Sequence, residues 1–164
     1  MGMRNNQRLA AWGASSTLLP SQTRPPHRIL VVDDDVSLRQ FSTELLTRSG
    51  YKVDDAEDGA AAWEALSADS YDLMITDNAM PHLTGVQLLK KLHATRMALP
   101  VIMATGQLPE EEFTQYPWLQ PAATLLKPYT VEKLLGTVRV VLRAVGSARG
   151  QRERLPDWRN QPLA

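Results

Sequence analysis

Four short apolar runs in this chain each lead into residues that can do acid, hydroxyl or ammonium chemistry. Asp33, Asp34 and Asp35 follow Ile29-Leu30-Val31-Val32, and Thr76 and Asp77 follow Leu73-Met74-Ile75. Thr105 follows Val101-Ile102-Met103-Ala104, and Lys127 follows Ala122-Ala123-Thr124-Leu125-Leu126. Carboxylates crowded together repel, and some take up protons unless a cation joins them. A donor set made only of oxygen suits a hard cation such as Mg²⁺, which accepts one or two carboxylates and keeps waters. The chain has no cysteine, which excludes disulfides, thiolate nucleophiles, zinc fingers and iron–sulfur clusters. His27, His82 and His93 are scattered and do not make a transition-metal set. His82, close in sequence to Asp77, reads as a solvated loop side chain. A metal beside a free carboxylate, with a lysine and a hydroxyl opposite, suits phosphoryl transfer with aspartate as the nucleophile. Asp35 reads differently, as the N-cap of the helix that follows it.

These residues act together only if the chain brings the ends of the four runs to one place. A continuous apolar run of this length suits a strand buried on both faces, as in a parallel sheet. Tyr51-Lys52-Val53 reads as a weaker edge strand. Helical signals alternate with the runs. Leu38, Phe41, Leu45 and Leu46 line one helical face, stopped by Gly50. Ala60 to Leu66 is rich in alanine, and Val86, Leu89 and Leu92 repeat every third residue. Val131, Leu134, Leu135, Val138, Leu142 and Val145 mark the clearest helix, with Thr130 as its N-cap. The fourth crossover carries Pro109, Pro117 and Pro121, so its helix is short or irregular, starting near Pro109 with Glu110, Glu111 and Glu112 in its first turn. Strands alternating with helices predict a doubly wound α/β fold around a parallel sheet. Such a sheet gathers the C-terminal ends of its strands at one edge, where ligands bind. The carboxylates, Thr105 and Lys127 therefore converge at one mouth.

Length and composition agree with a single soluble domain carrying tails: 164 residues, 43% apolar and 22% charged. The formal net charge is zero, from 18 basic and 18 acidic residues. The zero is an average. Residues 1–28 carry +4, residues 147–164 carry +2, and the centre carries −6. The expected organisation is a flexible basic leader over 1–26, a domain over 27–146 and a flexible basic tail over 147–164. Trp12 and Trp158 are candidate anchors in these arms. Loose arms of this charge give only nonspecific, salt-sensitive contact with nucleic acid. No stretch approaches the roughly 18 apolar residues of a membrane span. A cytoplasmic location is expected.

The residues around the mouth resemble the receiver domain of two-component response regulators over about 27–146. The resemblance rests on Asp33-Asp34 after the first run and on Tyr71-Asp72-Leu73-Met74-Ile75-Thr76-Asp77-Asn78-Ala79-Met80-Pro81. It rests also on Pro100 to Gly106, on Leu125-Leu126-Lys127-Pro128-Tyr129, and on Gly50-Tyr51, Ala56 and Asp58-Gly59. It implies a flavodoxin-like, five-stranded parallel sheet in the order 2-1-3-4-5 with five flanking helices. It implies that Asp77 accepts a phosphoryl group from a histidine kinase or a histidine phosphotransfer protein. It implies Mg²⁺ on Asp34, Asp77 and the backbone carbonyl of Ala79, with Asp33 acting through a metal-bound water. Thr105 and Lys127 would contact the phosphoryl oxygens, and a cis peptide at Lys127-Pro128 would orient the lysine.

The chain departs from the family pattern at the switch position, where Thr124 replaces the usual aromatic and Tyr129 is not a positional substitute. The proline-rich fourth crossover is a second departure, on a surface that is often a dimer or output face. Only about 18 residues follow the domain, too few for a helix-turn-helix. The expected protein therefore signals through a downstream protein partner, with Val140 and Val141 as material for a homodimer face or for the core. Receivers of hybrid kinases and non-cycling binding modules share these features. Asp33-Asp34-Asp35-Val36-Ser37 also fits the D-x-D pattern of haloacid-dehalogenase-like phosphatases, a reading that leaves Asp77 without a role.

Overall fold

The computed structural model describes residues 26–153. The expected leader, apart from Pro26, and residues 154–164 of the expected tail lie outside the described residues, with Trp12 and Trp158. The elements are β1 (Arg28–Val32), α1 (Val36–Arg48), β2 (Lys52–Ala56), α2 (Gly59–Ala68), β3 (Leu73–Thr76) and α3 (Gly85–Ala94). They continue with β4 (Val101–Thr105), α4 (Glu110–Gln115), a 3₁₀ turn at Pro117–Leu119, β5 (Ala123–Leu126) and α5 (Val131–Glu153). The five strands form one parallel sheet in the order β2-β1-β3-β4-β5, as the resemblance implies.

The apolar runs supply two cores at once, because successive strand residues point to opposite faces. Leu30, Val32, Met74 and Met103 pack on one face with Ala62 and Leu66 of α2, and with Leu88 and Leu92 of α3. Ile29, Val31, Leu73, Ile75 and Ile102 pack on the other with Leu46 of α1, and with Leu134 and Val138 of α5. Every residue of β3 and β4 is buried. β5 departs from the expectation of a strand buried on both faces. It is the far edge of the sheet, and Thr124 and Leu126 are exposed because the six-residue α4 covers too little of that face.

Local chemistry sets the helix ends. Asp35 caps α1, its carboxylate accepting from the Ser37 and Leu38 amides at 2.8 and 3.1 Å. Gly50 ends α1 at φ 91°, and the Tyr51 and Gly50 amides donate to the Leu46 and Thr47 carbonyls, a Schellman closure. Thr84 and Gln87 form a reciprocal capping box on α3. The Thr130 hydroxyl accepts from the Lys133 amide, as expected of an N-cap. α4 begins at Pro109 with no side-chain cap.

One expectation, the inward face of α1, is corrected in part. Of the expected face of α1, Leu46 is buried and Leu45 packs partly against the core. Leu38 and Phe41 are 38% and 50% exposed, and the inward stripe is Arg39, Ser42 and Leu46. The first turns of α1 stand beside the polar mouth, so the inward positions there are polar. The tail boundary at 146 falls inside α5, which runs to Glu153. Nothing before Pro156 removes a backbone donor, and Ala148, Arg149, Gln151 and Glu153 are helix-compatible. Val141 is buried in the core while Val140 is 67% exposed. No helix among the described residues is long and apolar enough to cross a membrane.

Candidate functional site

The mouth forms at the C-terminal ends of β1, β3, β4 and β5. Parallel register does the positioning. Val32 pairs with Thr76, Thr76 with Met103, and Thr105 with Leu126, so the next residues along these strands emerge at one edge. Carboxylate oxygens of Asp33, Asp34 and Asp77 all lie within 4.8 Å of one another. Asp33 and Asp77 are buried, and Asp34 is exposed at the rim. Lys127 reaches in from the β5 side, its Nζ 2.7 Å from Asp33 Oδ2 and 2.7 Å from Asp77 Oδ2. The Lys127-Pro128 peptide before α5 is cis.

Each buried carboxylate is held at both oxygens. Asp33 Oδ1 accepts from the Asp35 amide at 2.9 Å. Asp77 Oδ1 accepts from the Asn78 and Ala79 amides. The Asp77 amide donates to the Val32 carbonyl at 3.0 Å, and the Thr76 hydroxyl donates to the Asp77 carbonyl at 2.8 Å. Burial pushes the Asp77 carboxyl up, but the Lys127 ammonium and the Ala79 amide outweigh it and hold the group below its ordinary value. Burial likewise pushes Lys127 down, and the facing carboxylates of Asp33 and Asp77 carry it above its ordinary value. Thr105, fully buried, donates its hydroxyl to the Gln107 carbonyl at 3.2 Å, a long bond. The hydroxyl also helps to lower Asp77.

The donor set fits a divalent cation. Three carboxylates against one ammonium leave two negative charges, and every donor is a hard oxygen. Beside the mouth lies an open cleft of about 1030 Å³ lined by Asn78, Ala79, Thr105, Leu108, the glutamates of α4 and Leu126. It is the space left by the short α4.

The sequence residues fall as follows. Asp33, Asp34, Asp77 and Lys127 come together, and Thr105 and Ala79 border the same opening. Asp35 does not join them; its carboxylate is committed to the α1 cap, which removes the acid that the phosphatase pattern needs. Thr124 is exposed on β5, and Tyr129 packs into the core on the α1–α5 side instead. His82, 71% exposed at φ 64°, stands 3.8 Å from Asp58 and outside the carboxylate cluster.

Three contributors escaped the sequence reading. The Asn78 side chain accepts from the Val86 amide at 3.0 Å and ties the loop after Asp77 to α3. Gly85 opens α3 directly against the Asp77 backbone, where an added Cβ would run into the Asp77 carbonyl oxygen. A glycine at a helix start, with poor helix propensity, is the signal that could have revealed it. Arg39 donates to the Asp33 carbonyl at 2.6 Å.

Comparison with known proteins agrees with this geometry. The family model for the response regulator receiver domain matches residues 29–139. The response regulator MprA of Mycolicibacterium vanbaalenii is 35% identical over 120 residues, covering 72% of this chain and 51% of that protein. The chain thus spans about half the length of the curated relatives it matches. The chemotaxis response regulator CheY4 of Vibrio cholerae superposes with a TM-score of 0.64 at 30% identity, over 71% of this chain and 98% of that one. The response regulator TrrA of Thermotoga maritima, solved in complex with Mg²⁺ and BeF, superposes with a TM-score of 0.62 at 27% identity, over 70% and 98%.

Proposed function

The chain belongs to the response regulator receiver domain family, and from that premise we propose that Asp77 accepts a phosphoryl group from a histidine kinase or a histidine phosphotransfer protein. An Asp77 carboxylate oxygen attacks phosphorus, the phosphorus–nitrogen bond of the donor phosphohistidine breaks, and the neutral imidazole leaves with a proton from solvent. Asp34, Asp77 and the Ala79 carbonyl would hold Mg²⁺, with Asp33 acting through a bound water. Bound there, Mg²⁺ neutralises charge on the phosphoryl oxygens. Lys127 compensates charge from the opposite side, and the Thr105 hydroxyl donates to a phosphoryl oxygen once it leaves Gln107. The protein is a signalling domain rather than an enzyme with turnover on an external substrate. It acts in the cytoplasm through contact with a downstream protein.

The observation that carries this reading is the sharing of Lys127 between Asp33 and Asp77 at 2.7 Å, with Asp34 in the same cluster. Exposed Val36, Leu38 and Phe41 on the first turns of α1 support the assignment of a donor, because they offer an apolar footing next to Asp34 and Asp35. Acetyl phosphate with Mg²⁺ should add one phosphoryl group per chain by intact mass. An adduct that survives Asp77→Asn, or one indifferent to Mg²⁺, overturns the reading.

Thr124 favours a second reading, a binding module that does not switch. It is exposed and offers no ring to follow the Thr105 hydroxyl. Amide exchange with and without a beryllofluoride mimic separates the two. A clear change across β5 and α5 eliminates the module.

A further inference from the structure

We infer that Arg39 is a positioning residue for the metal-binding end of β1, setting where Asp34 presents its carboxylate. The inference rests on the proposed reading of Asp33, Asp34 and Asp77 as a divalent-cation site. Arg39 lies on the inward stripe of α1, and its side chain is only 11% exposed despite its charge. Its Nε donates to Asp55 Oδ2 at 2.9 Å, and its Nη1 donates to the Asp33 carbonyl at 2.6 Å. One planar guanidinium therefore joins the end of β1 to the neighbouring strand β2, a use of the rigid fork that lysine lacks.

The Asp33 carbonyl belongs to the peptide plane that also carries the Asp34 amide, so fixing it fixes the approach to the Asp34 Cα. Asp34 needs such a hold. Among the described residues no hydrogen bond or ion pair restrains its exposed carboxylate, so only its backbone aims it. The other link from this residue pair to β2 is weaker: the Asp33 amide reaches the Ala56 carbonyl at 3.3 Å. Arg39 thus supplies the short bond that keeps the Asp33–Asp34 plane against the sheet.

Charge alone predicts the opposite effect. A cation beside a cation site weakens metal binding, so removing Arg39 for its charge would tighten it. If positioning dominates, removal loosens binding. Partners that orient metal ligands from behind commonly matter by tenfold or more in affinity. The decisive experiment is Mg²⁺ titration of the full chain by isothermal calorimetry for the wild type, Arg39→Lys and Arg39→Ala. It is joined by amide exchange at Asp34 and Asp35 in metal-free protein. The expected result is a Kd raised about tenfold in both variants, with faster exchange at those two amides and unchanged circular dichroism. Wild-type affinity in Arg39→Lys, or tighter binding in Arg39→Ala, overturns the inference. If Arg39→Ala does not fold, Arg39→Lys decides alone, since it keeps the charge and the stem. A wild type that takes up no Mg²⁺ overturns the site reading instead. The amide exchange then still tests the hold of Arg39 on the loop, and unchanged exchange overturns it.

Discussion

The two sides of the mouth are built in opposite ways. On the β1–β3 side every buried acidic oxygen has a partner: Asp33 is held by the Asp35 amide and Lys127, and Asp77 by the Asn78 and Ala79 amides and Lys127. Its helices carry side-chain caps, and α3 closes on the Asp77 backbone at Gly85. On the β4–β5 side the Thr105 hydroxyl makes a long hydrogen bond to the Gln107 carbonyl, α4 has six residues and no side-chain cap, and Leu126 is half exposed above an open cleft. That crossover is fastened by Phe113 and Leu119, buried in the core, and by aromatic contacts at its surface. Trp118 stacks on His93 with centroids 4.2 Å apart, and Lys90 sits 4.7 Å over the Tyr116 ring. The two buried carboxylates are each held by several bonds, whereas the surface beside β5 is held by few.

The strongest way to break this contrast is to remove the group that joins the two sides. Lys127→Met leaves Asp33 and Asp77 facing each other without their cation. It should cost about 3 kcal/mol in urea unfolding of metal-free protein. Saturating Mg²⁺ should restore much of that loss, because a ligand bound only by the native state stabilises it. Gly85→Ala attacks the β1–β3 side alone. The new Cβ meets backbone rather than a flexible side chain, so a cost of about 2 kcal/mol is expected, together with weaker labelling by acetyl phosphate. Equal stability and labelling would show that the Asp77 loop is less rigidly held than its contacts indicate.

A gentler perturbation is pH, read on protein kept free of metal. Asp77 has its folded pKa below the ordinary 3.8, so its stabilising contribution is present above that value and is lost as pH falls through the folded pKa. Lys127 has its folded pKa above the ordinary 10.5, so its contribution is present below that value and is lost as pH rises through the folded pKa. Stability should form a plateau between these limits, and Asp77→Asn should flatten the acid limb. An unchanged acid limb in that variant would assign it to other carboxylates. The smallest effect belongs to the β4–β5 side. Trp118 is half exposed, so Trp118→Ala should cost about 1 kcal/mol and leave the Mg²⁺ affinity unaltered. A change in affinity would mean that the crossover and the carboxylates are coupled after all.

Much of this was legible in the chain. Unbroken apolar runs ending in Asp, Thr and Lys announce parallel strands and a polar mouth, because the same residues must satisfy both a double-sided core and an edge. Caps at Asp35 and Thr130 and the stop at Gly50 were readable because they depend on neighbours in sequence. The phase of α1 was legible only at Leu45 and Leu46. Leu38 and Phe41 have helical spacing, but spacing cannot tell which side of a helix faces a core and which faces a partner or solvent. Here the inward side beside the mouth belongs to Arg39 and Ser42. β5 was misread for a related reason. Its composition suits burial, but whether it is buried depends on how much helix lies over it.

The sequence by itself determined the order of elements, the strand ends that meet and the chemical types gathered there, since all of these follow from local pattern and parallel topology. Only the tertiary structure decided which acids share Lys127, that Gly85 must lack a side chain and that Arg39 bridges β1 to β2. Those are contacts between different elements, up to 94 residues apart in the chain. They are set by packing, and no local pattern records them.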